Sequence, residues 1–447
     1  MIALVEASSY FQIASLAAMA DAGLLPQADE YVLVLANGSQ LPELTTPLDE
    51  APGFAELAAR FDRVVDLAAL VSPRRPAQFN PREDELLIFE RLLRNAWGLG
   101  DERVTLVVES IQVNPARTLA RIFFDATLWV HSDGLMSYGP TRNKLQVPLA
   151  QRLAGTIHVD LVPGLEPQLL AEQQPPRQVL PGTALKVVFA QLAESSELQL
   201  PQGAALLLGQ YLGSLGLVDA EEELELHEQM LLAAKDRGLN TILFKAHPSA
   251  SATSAARLRA RALDLQLDFH LLDTDHLAET VILAAQPQLV ISCFSTALVT
   301  AKYVLDTPVH AVGTAKMLQL LAPYENSNRI PLSIIHGLFV QDLPVPARAG
   351  NIDMLSNLLA AVSYCMQSKQ LPQLRQTAEQ FLSEHYGVYS AHFKRRRITK
   401  LELPPSWAHL PVRRSVPAKV RGASRHALRR GSRGLDRMSK VLSRLAK

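Results

Sequence analysis

Residues 126–134 read ATLWVHSDG. A mostly apolar run stops abruptly at a carboxylate followed by glycine. A short, nearly continuous apolar run bounded by turn residues is the pattern of a strand buried on both faces. Similar runs occur at 2–6 (IALVE), 31–36 (YVLVLA), 63–67 (RVVDL) and 103–109 (RVTLVVE). Helical stretches lie between them. In residues 81–97, PREDELLIFERLLRNAW, the positions Leu86, Ile88, Phe89, Leu92 and Leu93 recur near a 3.6-residue period. Alternating strand and helix predicts an α/β fold, a parallel sheet covered on both faces.

The pattern restarts after a Pro- and Gln-rich stretch at 161–182, LVPGLEPQLLAEQQPPRQVLPG, which reads as an interdomain connection. Strands are expected at 205–210, 240–246, 267–272, 288–292 and 308–312, with helices near 219–237, 252–263, 275–285 and 295–304. Asp219 and Glu222 have the spacing of a capping box. Residues 352–385 read as two further helices. The chain of 447 residues therefore divides into two doubly wound halves plus extra segments. In such folds ligands bind beyond the C-terminal ends of the strands, and with two halves the cleft between them is the default site.

Composition narrows the class. Apolar residues make up 48% and charged residues 20%, as in a soluble globular protein. No window of 18 apolar residues predicts a membrane span. The first residues lack the basic segment of a signal peptide, and Glu6 interrupts the apolar run. Two cysteines, Cys293 and Cys365, supply neither a disulfide framework nor a metal cluster, which fits a reducing cytoplasm.

A formal net charge of zero hides an asymmetry. From Lys394 onward 17 Lys and Arg face two acidic residues, about +15 against about −15 for the rest. In the last segment Leu435, Met438, Val441, Leu442 and Leu445 share one face of an ideal helix, with Arg433, Arg437, Lys440, Arg444 and Lys447 opposite. That is the signature of a basic amphipathic helix on an anionic membrane surface, although a helix packed on a partner or a solvated tail has the same composition. Nucleic acid is not expected, because no aromatic residue interleaves with the charges after Trp407.

Several strand ends carry groups with chemistry. Asp133 before Gly134 is either a turn residue or a carboxylate delivered to the cleft. At 242–249, ILFKAHPS, a strand ends at Lys245, and Pro248 biases His247 toward an extended conformation. His247 can serve an anion there or simply sit solvated in a turn. At 290–305 a strand ends at Ser292, and Ser295 and Thr296 open a helix, as N-caps or as an anion site. Glu279 falls in a first helical turn, favoured there by the helix dipole or placed to bind a ribose diol. Gly209 permits close backbone approach, but no dinucleotide fingerprint or Walker A sequence is present.

Three of these stretches, SDG at 132–134, KAHPS at 245–249 and SCFSTAL at 292–298, resemble the acidic-acidic-Gly, His-Pro and Ser/Thr motifs of bacterial sialyltransferases. The order of motifs, the opening LVEASSYFQIASLAAM and the segment GQYLGSLGLVDAEEELELHEQML are most similar to the bacterial α-2,8-polysialyltransferase family over about residues 1–385. The resemblance implies a GT-B-like fold. Its domains would be an acceptor-side domain over 1–175, a connection over 176–202, a nucleotide-sugar-binding domain over 203–390 and a basic tail over 391–447. It implies CMP-sialic acid as donor, a glycan acceptor, inversion at the anomeric carbon, and neither metal nor cofactor. Asp133 would be the general base. His247 would serve the departing phosphate with Lys245, Pro248, Ser292, Ser295 and Thr296, and Glu279 and Gly209 would contact the cytidine part. Tyr138, Arg142 and Asn143 would face the acceptor. Ser132 stands where the family motif has its first acidic residue. The expected product is a capsule-like surface polysaccharide, made by a cytoplasmic enzyme peripheral to the inner face of the membrane. Rival readings are a glycerophosphotransferase using CDP-glycerol and a non-catalytic GT-B-like binding protein.

Overall fold

The computed structural model describes residues 1–39, 45–210, 212–213, 216–246, 252–339 and 352–411. The expected strands form, within one or two residues, and two more join them. The first sheet has seven strands, β1 Ile2–Ala7, β2 Glu30–Leu35, β3 Arg63–Asp66, β4 Val104–Glu109, β5 Thr127–Ser132, β6 Leu153–Val159 and β7 Arg177–Leu180, in the order β3-β2-β1-β4-β5-β6-β7. The second has five, β8 Ala205–Leu208, β9 Thr241–Lys245, β10 Asp268–Leu272, β11 Leu289–Ser292 and β12 Val309–Ala311, in the order β10-β9-β8-β11-β12. Every pair is parallel. Both halves are Rossmann-like, and together they make a GT-B arrangement. The strand order reverses between β1 and β4 in one half and between β8 and β11 in the other, and each reversal opens a crevice at the strand ends.

The apolar runs form strands because they are buried on both faces. All six residues of β1 are buried, whereas β3, at the sheet edge, has no buried residue. β6 is interrupted in sequence by Gly155 and so reads poorly as a strand. The glycine is required: a Cβ there would stand 2.4 Å from the Trp129 ring on β5. The capping box forms as expected, with Glu222 N–H donating to Asp219 at 2.8 Å and Asp219 N–H to Glu222 at 3.1 Å.

Two expected boundaries are corrected. Residues 176–202 are not a plain connection, since β7 completes the first sheet and Gly182–Glu194 is a helix with buried Leu185, Val188, Phe189 and Leu192. That helix packs on Tyr10–Asp21 of the first half, the Phe11 and Phe189 rings 5.8 Å apart, and on Ala278–Ala285 of the second. Nor does the tail begin at 391. The helix Arg395–Leu401 is anchored by buried Ile398, with Phe393, Leu403 and Ala408 also buried. Arg397 donates to the Met366 carbonyl at 3.2 Å and pairs with Glu325 at 2.8 Å. Residues 412–447, with Arg433, Arg437, Lys440, Arg444 and Lys447, lie outside the described residues.

The chain after Asp133 is clamped by the second half. Leu135–Tyr138 forms a 3-10 turn against the helix Arg329–Phe339, and Gly139 lies under Ile330. Arg329 anchors that helix. It is wholly buried, with its guanidinium donating to the carbonyls of Tyr324 and Leu321 at 2.9 Å each and lying 4.1 Å from the Tyr324 ring. Carbonyls at the end of the preceding helix, Thr314–Leu320, thus satisfy a charge that would otherwise be costly to bury. A Cβ at Gly139 would come within 2.7 Å of Ile330 Cγ1, in a buried contact with no room to relax. Gly139→Ala is expected to destabilise the protein by about 1–3 kcal/mol, read as a lowered melting temperature.

Candidate functional site

A cavity of about 550 Å³ lies between the two sets of strand ends. Glu109, Ser132, Asp133 and Gly134 line it from the first half, and Gly209, Gln210, Glu279, Ser295 and Thr296 from the second. Five residues singled out in the sequence, separated by up to 163 positions, thus share one space. A hollow of about 960 Å³ on the first half, lined by Pro73, Phe79, Phe89 and Leu92 among others, contains none of them.

The first-half wall is acidic. Asp133 follows β5 directly, and burial pushes its carboxyl up to about 6. Its own backbone N–H and the Gln12 side chain oppose that shift by hydrogen-bonding the charged form. Gln12 is oriented for this because its Oε1 accepts the Ser8 N–H at 2.6 Å, leaving its NH₂ to donate. Glu109, the last residue of β4, is pushed up to about 8 by burial and by the Asp133 charge. Glu6 on β1 is buried and pushed up to about 7, again by burial, while it accepts from Ser8 Oγ at 2.6 Å and from the Glu109 N–H at 3.1 Å. His131 stays neutral: burial lowers it to about 4, and Nε2 donates to the Glu6 carbonyl at 2.9 Å.

The second-half wall is built from turns. Gln210 Oε1 accepts the Phe294 N–H at 3.0 Å, pinning the loop after β11 beside the loop after β8. Ser295 Oγ accepts the Ala297 N–H at 3.2 Å and so caps the short helix Ala297–Val299, while Thr296 makes no such bond. Glu279 is buried and accepts from Thr300 Oγ1 at 2.6 Å, and burial raises its pKa. Gly209 is at the wall, but a Cβ there would meet the Phe244 ring at 2.9 Å, so packing beneath the loop demands the glycine.

Other expected residues stand elsewhere. The Lys245 ammonium is lowered by burial and donates to the Thr274 carbonyl at 2.8 Å, outside the cavity lining. Ser292 is wholly buried, its hydroxyl tying β11 to β8 by donating to the Leu208 carbonyl at 2.8 Å. Tyr138 is also wholly buried, and its hydroxyl accepts the N–H groups of Leu161 and Val162 at 3.2 and 3.1 Å. An acceptor contact at Tyr138 is therefore corrected to a structural tie. Arg142 and Asn143 are exposed: Arg142 donates to Ser327 Oγ at 2.5 Å, and the Asn143 carbonyl accepts from Gln112. Neither lines the cavity. His247 and Pro248 lie outside the described residues.

Glu6, Gln12, Glu109 and Gln210 were not singled out in the sequence. The available signal was a carboxylate closing an apolar run, in IALVE and again in RVTLVVE. Among the described residues no group of three or more His, Cys, Asp or Glu side chains is arranged to hold a metal ion.

The profile of the alpha-2,8-polysialyltransferase (POLYST) family matches residues 3–314. No curated protein matches the sequence. Among solved structures, UDP-GlcNAc 2-epimerase from Methanocaldococcus jannaschii is 12% identical at a TM-score of 0.41, covering 69% of this chain and 83% of its own. A glycosyltransferase from Rickettsia africae is 12% identical at 0.38, covering 88% and 98%. MurG from Acinetobacter baumannii is 10% identical at 0.34, covering 91% and 96%. Likenesses of this size are too slight to bear on function, and the fold stands on strand order and register.

The Thr300 hydroxyl is the side-chain donor to the buried Glu279 carboxyl. Thr300→Val leaves that carboxyl short of a partner and is expected to cost about 1–3 kcal/mol by urea denaturation at neutral pH.

Proposed function

Because this chain belongs to the alpha-2,8-polysialyltransferase family and is a sialyltransferase-type glycosyltransferase, we propose that it transfers sialic acid from CMP-sialic acid to a glycan hydroxyl with inversion. One observation carries the reading: a single cavity has Asp133 on one wall and Ser295, Thr296 and Glu279 on the other. The attacking hydroxyl needs a base on its side, and the departing phosphate needs donors on the nucleotide side.

In this mechanism the acceptor oxygen attacks C2 of the sialic acid while Asp133 takes its proton. The bond from C2 to the phosphate oxygen breaks, and CMP leaves with the bonding pair. The hydroxyls of Ser295 and Thr296 and the imidazole of His247 hold the phosphate, with Lys245 closing the strand that leads to it. Glu279 and the backbone at Gly209 take the cytidine part. The step uses no metal and no cofactor. Enclosure between the halves keeps water from the donor, whose hydrolysis competes. The acceptor is a capsule-like or other surface polysaccharide, with Arg142 and Asn143, exposed outside the cavity lining, guiding its approach. Family membership favours this reading over the glycerophosphotransferase and the non-catalytic ones.

We further propose that residues 412–447 hold the enzyme on an anionic inner membrane surface, as their charge and periodicity suggest. No helix among the described residues is long and apolar enough to cross a membrane.

Release of CMP from CMP-sialic acid with glycan acceptors tests the transfer. Asp133→Asn is expected to lower turnover by about 10²–10⁴-fold while CMP still binds, and loss of binding instead would place Asp133 outside the chemistry. A base must be ionised, so with its carboxyl at about 6 the wild-type kcat/KM should fall about tenfold per pH unit below that value. Deletion of 412–447 should abolish sedimentation with anionic vesicles and leave soluble turnover largely intact; unchanged sedimentation would exclude the membrane reading.

A further inference from the structure

We infer that Glu109 is a positioning residue for the base, supplying from the neighbouring strand the second acidic group that Ser132 does not provide. The inference rests on the reading of Asp133 as base. β4 and β5 are paired in parallel with Glu109 opposite His131, so the chain reaches Asp133 two residues beyond that level, at the same sheet edge. Both carboxyls line the same cavity wall. The acidic pair is thus assembled across two strands instead of along one.

With both on one wall and the Asp133 charge acting on Glu109, the two carboxyls cannot both ionise at ordinary cost. The one that ionises first is the one better supplied with donors. Asp133 has its own N–H and the Gln12 side chain, whereas Glu109 has the Ser110 hydroxyl, donated to Oε1. The charged groups acting on Glu109 are Glu6 from β1 and Asp133 from the end of β5, both acidic, and both hold its proton on. At neutral pH the Asp133–Glu109 pair carries one charge, placed on Asp133. A neutral Glu109 also presents no second charge to a donor that already carries a carboxylate and a phosphate. During transfer Asp133 takes the acceptor proton and the pair becomes neutral, and Asp133 returns that proton to solvent as product leaves. Once Glu109 ionises, the Asp133–Glu109 pair carries a second negative charge at the cavity lining and repels the anionic donor.

The test is the pH profile of kcat/KM with CMP-sialic acid for the wild type, Glu109→Gln, Glu109→Asp and Glu6→Gln. The wild type should lose about tenfold per pH unit above about 8. Glu109→Gln should lose that alkaline limb and keep the acid limb, Glu109→Asp should keep both, and Glu6→Gln should keep the alkaline limb. An alkaline limb that survives Glu109→Gln, or none in the wild type, overturns the inference. A second readout needs no donor. Glu109 titrates higher folded than unfolded, so the wild type loses stability as pH rises from the ordinary glutamate range to about 8. The melting temperature of Glu109→Gln should therefore gain on the wild type across that window and level off above it, and a constant difference overturns the assignment. If CMP-sialic acid is not turned over at all, the transferase reading fails, and the melts alone decide the protonation of Glu109.

Discussion

Every hydrogen-bonded strand pair in both sheets is parallel, and the rest of the molecule follows from that constraint. A parallel strand must be followed by a crossover that returns the chain to the starting edge. All C-terminal strand ends in one half therefore gather along one edge. Residues far apart in sequence become neighbours only because they close their strands. Glu6, Glu109 and Asp133 meet at one such edge, and Gly209, Ser292 and the loop to Ser295 and Thr296 stand at the other.

The two edges differ in electrostatic character. The first-half edge concentrates three carboxyls, Glu6 buried and Glu109 and Asp133 half-buried at the cavity wall, and desolvation pushes all three upward in pKa. Such a cluster costs stability as pH rises, and none of its three members is offset by an adjacent cation in the shifts that act on it. The second-half edge is built from turns and hydroxyls, and the buried carboxyl described there, Glu279, lies near Lys245. In the proposed mechanism, acid–base work and anion holding would thereby fall on separate scaffolds.

Legibility in the sequence tracked burial. Strands buried on both faces, such as β1, β4 and β8, announce themselves as apolar runs. β6 does not, because Gly155 makes way for Trp129 on its neighbour, a contact no local pattern records. β7 is a four-residue edge strand in a Pro- and Gln-rich stretch, and composition there pointed to a connection. At the site, Asp133 was legible because a carboxylate before glycine stands out at a strand end. Glu109 was not, since its significance lies in Asp133, 24 residues away. Tyr138 misled in the opposite sense. It stands before Gly139 in the stretch that follows Asp133, yet its hydroxyl is occupied by two backbone N–H groups.

The clamp on the loop after Asp133 has a consequence for how such enzymes can be recombined. Gly139 lies under Ile330, Arg142 bonds Ser327, and Gln367 donates to the Arg142 carbonyl at 3.0 Å. By covalent order this loop belongs to the first half, but mechanically it is a passenger of the second. A chimera spliced between the two sheets would separate the loop from the helices that shape it, even with each half intact. The natural unit of exchange between related chains is therefore discontinuous: residues 134–143 should travel with 325–339 and the helix that carries Gln367.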